Sequence, residues 1–319
     1  MFSGLTSPVV LCFALGFLAT VLKSDLKLPD SMYAGLSVYL LLAIGMKGGM
    51  KLSKTAPGDF IFPALAALSL CVLIPVWSFF ICRWKLDTAN AAAMAAHYGS
   101  VSAVTFSQSL SVLDFAGVSY EGFMPSMLAI MEIPAIIIGI LMFRLASSKQ
   151  GHDSERTSTR AIFHELLTGR SSLLLMGGLL IGFVSGEKGF QKIAPLFDAP
   201  FAGVLALFLL ELGLVTGRRI GDVRQAGFFI VAFAIFMPVL HGILGVLAGH
   251  WAGLSEGGAA IMGVLASSAS YIAAPAAIRI SIPQSSPSIY LTASLAITFP
   301  FNILIGINIY HAFSRFISG

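Results

Sequence analysis

Apolar runs of about 17–25 residues, the length at which a helix crosses roughly 30 Å of hydrocarbon, recur along the whole of this 319-residue chain. Inside hydrocarbon every backbone N–H and C=O must find a partner within the protein, so only helices or closed strand barrels span a bilayer. The runs do not alternate polar and apolar residues, which excludes a barrel. With 57% apolar residues, 11% charged residues and a mean hydropathy of +0.89, the composition lies outside the range of soluble domains. The reading is an all-α integral membrane protein. Its formal net charge of +4 includes no basic cluster dense enough for nucleic acid. Cys12, Cys71 and Cys82 lie in apolar runs without paired histidines and read as core residues. No Lys or Arg precedes the run at Pro8 and no small-residue cleavage site follows it, so it reads as a first span rather than a signal peptide.

Ten transmembrane spans follow in order: Pro8 to Leu22, Ser31 to Gly48, Phe60 to Ile81, Asn90 to Leu113 and Gly122 to Leu145, then Ser171 to Val184, Pro200 to Val215, Phe228 to Ala248, Gly258 to Ile280 and Ser288 to Phe313. A hydrophilic connection, residues 147–170, divides residues 1–146 from 171–319. Laying the second part on the first at an offset of about 168 residues matches Gly45 with Gly213, Gly49 with Gly217, Ser100 with Ser268 and Ser102 with Ser270. The expectation is two five-helix repeats. Because five is odd, the second enters the membrane from the opposite side, which makes them inverted repeats of the kind secondary transporters use. Thirteen of the 19 Lys and Arg fall on the odd-numbered connections, so the 147–170 connection is expected inside and both termini outside.

Two polar stretches interrupt this apolar background, Tyr98 to Ser109 in the fourth span and Ala266 to Pro275 in the ninth. Unpaired hydroxyls and backbone groups each cost several kcal/mol in hydrocarbon, on the order of 2–7, so such stretches pack inside protein or line a wet cavity. Gly99 and Pro275 are places where a helix can break. A broken helix leaves an N-terminus whose amides and positive dipole end attract an anion, while freed carbonyls attract a cation. Ser102, Thr105, Ser268 and Ser270 are the candidate substrate-binding residues for a small oxyanion. Taken singly, each serine fits equally a close-packed helix interface.

Glu132 stands near the middle of the fifth span, where a carboxylate costs at least about 2.5 kcal/mol. It is the leading candidate sodium ligand, with Ser100 and Asn302 as further oxygen donors, although Asn302 fits a packed amide equally. The alternative is a protonated acid bonded within the bundle. Glu211 reads as an interfacial ion pair with Arg218 and Arg219, and His97 and His241 as proton carriers or, more simply, as histidines bonded to backbone carbonyls. There is no phosphate loop, no HExxH and no serine paired with a base, which argues against an ATP-driven pump and against an enzyme.

Five segments together resemble the sodium-dependent bicarbonate transporters of the cyanobacterial type and their bacterial relatives. They are Gly45 to Met50, Gly99 to Thr105, Ser119 to Glu121 with Ile133 to Ala135, His241-Gly242, and Ala266 to Pro283. The resemblance implies ten helices in two inverted repeats with spans 4 and 9 broken and crossing, a core sliding against a gate domain, and a homotrimer. It implies a multi-pass protein of the bacterial inner membrane with periplasmic termini, bicarbonate bound between the broken helices, sodium as the coupling ion and no other cofactor. A PII-like regulatory protein docks on family members. Two departures stand out: Tyr271 occupies the place of an aspartate that follows the second serine cluster, and the long cytoplasmic loop is cut down to residues 147–170. The expected function is sodium-coupled bicarbonate import by an elevator-like movement. Symport of another small or organic anion and a non-transporting membrane sensor are the alternatives.

Overall fold

The computed structural model describes residues 6–148 and 159–319, and all regular structure among them is helical. Seven helices are long and apolar enough to cross a membrane. They are α2 (Asp30–Leu52), α3 (Pro57–Cys82), Met124–Ser148, α9 (Arg170–Phe197), α10 (Phe201–Arg218), α11 (Ile220–Trp251) and α14 (Pro287–Ser318). Within Met124–Ser148, Pro134 divides α6 (Met124–Glu132) from α7 (Pro134–Ser148). The other three expected spans are shorter helices. One is α1 (Pro8–Val21); the others divide into α4 (Thr88–Gly99) with α5 (Ala103–Ala116), and α12 (Glu256–Ser267) with α13 (Ala273–Ser281).

α4 and α12 form the centre of the molecule. Every residue of α4 and all of Gly257 to Ser267 in α12 are buried, and both sequences consist largely of Ala, Gly and Ser. Small side chains let helix backbones approach closely where lipid supplies no hydrophobic drive. Each helix starts on a capping side chain, Asn90 N–H donating to Asp87 Oδ1 at 2.8 Å and Gly258 N–H to Ser255 Oγ at 3.2 Å.

Around this centre the packing is reciprocal. α1 packs on α10 and α2 on α9, while α3 and α7 flank α4 as α11 and α14 flank α12. The glycines matched in sequence serve matched contacts. A Cβ on Gly45 would lie 2.9 Å from the Leu179 nitrogen and 3.0 Å from Gly178 Cα, and one on Gly213 would lie 2.8 Å from the Phe17 nitrogen. α9 and α11 overrun the expected span ends, and both kink where those ends were placed, at Gly186 (φ 59°) and Gly227 (φ 80°). Beyond the first kink, Glu187 pairs with Lys54 and Asp198 with Lys47 of α2.

The connection expected over 147–170 lies partly outside the described residues. Its last part is a helix, α8 (Thr159–Thr168), packed against α9 and α13. Ile162 and Leu166, one turn apart, are buried, and this amphipathic spacing is what makes a helix of a stretch the sequence reading took as irregular. All three cysteines are free; Cys71 and Cys82 are buried, as their reading as core residues expects, whereas Cys12 is only half-buried.

The glycine contacts bear directly on stability. Gly45→Val and Gly213→Val are each expected to cost about 1–3 kcal/mol through overpacking, read as a lower melting temperature of the purified protein in detergent. Wild-type melting for both would contradict the close approach.

Candidate functional site

The two polar stretches meet at the centre of the fold. After Gly99 the chain is extended at Ser100 (φ −87°, ψ 175°) and Ser102 (φ −114°, ψ 113°), and after Ser267 it is extended at Ser268 (φ −76°, ψ 162°). The Ser100 and Ser268 amides still bond back into their own helices, to the Ala96 carbonyl at 3.3 Å and the Val264 carbonyl at 3.0 Å, and the Ser102 and Ser270 amides that follow find partners across the gap. Ser270 N–H donates to the His97 carbonyl at 2.8 Å. Ser102 N–H donates to Ser268 Oγ at 3.0 Å, and that hydroxyl donates on to the Leu265 carbonyl at 2.8 Å. His97 and Leu265 are matched by the same offset as the serines, so each stretch is tied to the last turn of the opposite helix.

The chain then re-enters helix on a serine. Ser102 Oγ accepts from Thr105 N–H at 3.2 Å and from Thr105 Oγ1 at 3.0 Å, capping α5; ahead of α13, whose N-cap residue is Ile272, Ser270 Oγ accepts from Ala274 N–H at 3.1 Å. Ser102 Oγ also donates to the Tyr271 hydroxyl at 3.2 Å. Ser102, Thr105, Ser268 and Ser270, the four residues singled out in the sequence, are therefore brought into one buried cluster.

A small crevice opens beside it. Ala103, Val104 and Ser107 of α5 line it together with Ile272, and Ser37 and Ile44 of α2 and Phe208 of α10 close the other side. Among the described residues, the amides of Ala103 and Val104 at the first turn of α5, and of Ile272 and Ala273 at that of α13, meet no acceptor. Two helix N-termini with free amides thus converge near an apolar crevice, an arrangement that suits a small anion.

The ends of the assembly are tied crosswise as well. Ser255 N–H, at the start of α12, donates to Glu121 Oε1 at 2.7 Å, and Ser286 N–H, ahead of α14, donates to Asn90 Oδ1 of α4 at 2.8 Å.

The candidate sodium ligands are placed differently. Glu132 is the last residue of α6. Pro134 displaces the normal ladder, so Ile136 N–H bonds the Ile133 carbonyl, and the Glu132 carbonyl accepts from Ser100 Oγ at 2.7 Å. The Glu132 carboxylate points to the start of α9, against the hydroxyls of Ser171 and Ser172, and its Oε2 is buried without a protein partner. Asn302 lies in the other half, its Nδ2 donating to the Ser267 carbonyl at 3.1 Å and its Oδ1 accepting from Tyr310 at 3.1 Å. Ser100 and the Glu132 carbonyl are together; Asn302 does not join them. Among the described residues, no group of three His, Cys, Asp or Glu side chains forms a metal cluster.

Other expectations resolve individually. Glu211 pairs with Arg218 at 3.3 Å, while Arg219 turns to Asp222. His97 Nδ1 lies 2.6 Å from the Ala93 carbonyl, as expected. Among the described residues His241 meets no backbone carbonyl; it accepts from Trp77 Nε1 at 2.8 Å, which joins α11 to α3.

Sequence reasoning missed a relay from Tyr98 through Thr298, whose Oγ1 takes the Tyr98 hydroxyl at 2.7 Å and donates to the Ala234 carbonyl at 2.7 Å. Ala234 stands four residues before Pro238, which has no N–H to offer it. That spacing was a readable signal that some hydroxyl must serve this carbonyl. Thr298 reaches it from α14, where Thr292–Thr298 and Asn302–Gly306 are π-helical.

The sequence profile of the Na+-dependent bicarbonate transporter superfamily matches residues 8–315, and the chain belongs to that superfamily. With its apolar helices it is a multi-pass membrane protein. Comparison with individual curated proteins gives no match.

The pairing pattern sets an order of mutational cost. Ser270→Ala removes one bond to the first turn of α13, about 0.5–2 kcal/mol. Thr298→Val leaves both Tyr98 and the Ala234 carbonyl unpaired, about 1–3 kcal/mol for each orphaned group. In thermal melts Thr298→Val is expected to be more destabilised than Ser270→Ala.

Proposed function

We propose that this member of the Na+-dependent bicarbonate transporter superfamily imports bicarbonate across a bacterial inner membrane together with sodium. The observation that carries this reading is the convergence of the α5 and α13 N-termini, with unpaired amides, beside the crevice between Ile272 and the α2–α10 pair. In a low-dielectric interior such amides interact with negative charge far more strongly than in water. Ser102 and Ser270 hold the two termini in place, and Thr105 and Ser268 complete the polar wall. Oriented amides and hydroxyls favour an anion without fixing a buried countercharge.

The proposed topology has ten crossings in two inverted five-helix repeats. The reciprocal pairs α1–α10 and α2–α9 support it, as do the matched bonds of Ser102 and Ser270 and the crosswise ties of Glu121 and Asn90. Both termini lie outside in this arrangement, in accord with the loop charges. The helices α1, α2, α9 and α10 pack chiefly on one another and form a gate; the rest form a core centred on α4 and α12. Because the crevice lies where core meets gate, sliding one past the other would carry a bound anion between the two faces. α9 has the smallest buried share of the long spans, 22%. This leaves an apolar face for lipid or for the neighbouring copy in a homotrimer.

In this reading sodium binds on the Ser100 side, where the Ser100 hydroxyl and the Glu132 carbonyl offer hard oxygens, with the Glu132 carboxylate supplying charge from its position against Ser171 and Ser172. One charge falling through 100 mV yields about 2.3 kcal/mol, so each sodium beyond charge balance drives uphill anion entry by that amount.

Purified protein in proteoliposomes is expected to take up labelled bicarbonate when sodium is higher outside than inside, and not when sodium is equal on both sides. Uptake that ignores the sodium gradient in otherwise active vesicles would overturn the reading.

A further inference from the structure

We infer that the phenol of Tyr271 is the principal side-chain donor to the transported anion, and that Ser102 and Thr105 are scaffold around it. The inference rests on the anion-site reading above and identifies which hydroxyl there still has a proton to give.

A serine or threonine hydroxyl has one proton and two lone pairs. Ser102 Oγ accepts from the Thr105 amide and the Thr105 hydroxyl, which fills both lone pairs, so its proton goes to Tyr271. Thr105 gives its own proton to Ser102. Ser268 gives its proton to the Leu265 carbonyl while accepting from Ser102 N–H. Three of the four hydroxyls that the sequence suggests as anion ligands are therefore committed as donors to the protein itself. An anion could recruit them only by breaking the caps and ties that hold the two stretches together.

Tyr271 is in the opposite state. Its oxygen accepts from Ser102, and its own proton meets no acceptor among the described residues. The residue is 8% exposed, with its ring packed edge-on to Phe299 at 5.3 Å, so the hydroxyl is held in place. It follows Ser270, which bonds the first turn of α13, and precedes Ile272, the N-cap residue of α13, which lines the crevice. Ser270, which accepts from Ala274 N–H, is the other hydroxyl of the cluster with an undirected proton. Donation from Ser102 polarises the phenol and strengthens the hydrogen bond it makes in turn. A neutral phenol at this position gives the anion a directional donor and adds no charge of its own to the pocket.

The test uses the full-length protein. Tyr271→Phe keeps the ring on Phe299 and removes the donor, together with the oxygen that accepts from Ser102. In proteoliposomes the bicarbonate concentration for half-maximal uptake is expected to rise about tenfold or more, the loss typical of a hydrogen bond to a charged partner, with maximal rate within about twofold. In detergent, the rise in melting temperature caused by bicarbonate, acetate or sulfate in the wild type should shrink in the variant. A wild type stabilised by one of these anions alongside an equally responsive Tyr271→Phe overturns the role of Tyr271 and leaves the anion site standing. A wild type that responds to none of them and takes up no bicarbonate overturns both. Should the variant fold poorly, fluorotyrosine placed at position 271 decides the matter. Its fluorine resonance should shift on addition of whichever anion stabilises the protein, and an unmoved resonance rejects direct contact.

Discussion

Everything at the centre of this protein depends on one constraint: backbone groups that leave a helix inside an apolar bundle must find partners there. Residues 100–102 and 268–272 leave their helices in the most buried part of the molecule, and the amides of Ser102 and Ser270 are each satisfied by the other half of the chain. Leaving even one such group unpaired costs about 1–3 kcal/mol. Two halves that complete each other's ladders therefore form a cooperative unit, in which neither stretch holds its shape without its counterpart.

Prolines extend the same logic outward. Pro238 deprives Ala234 of its helical partner and Thr298 supplies one from α14; the kink at Pro134 leaves the Glu132 carbonyl to Ser100. Each repair joins two helices that would otherwise share only apolar contact. The core is thus held by directional bonds, whereas the contact of α2 with α9 rests on glycines that let backbones touch, on the Tyr39 hydroxyl donating to the Leu196 carbonyl at 2.6 Å, and on the ion pairs of Lys47 with Asp198 and Lys54 with Glu187.

Part of the site was legible in the residues alone. Hydroxyls repeated at matched positions in an apolar chain need partners inside the protein, and Ser102 and Ser268 are bonded to each other across the two halves. What the residues do to one another was not legible. Spacing cannot say that the Ser102 proton is taken by Tyr271, that the Glu132 carboxylate turns to the start of α9, or that Asn302 reaches Ser267, because these depend on which helices become neighbours. The helix α8 went unread because its burial of Ile162 and Leu166 needs surfaces contributed by α9 and α13.

By itself, then, the sequence determined the medium, the helical class and the positions where helices must yield, since all three follow from local hydropathy, from glycine and proline, and from hydroxyls that hydrocarbon does not tolerate. The tertiary structure decided which carbonyl each hydroxyl serves and which amides are left over. That choice belongs to distance and direction between segments some 170 residues apart, and hydrogen bonds, unlike hydropathy, exist only once both partners are in place.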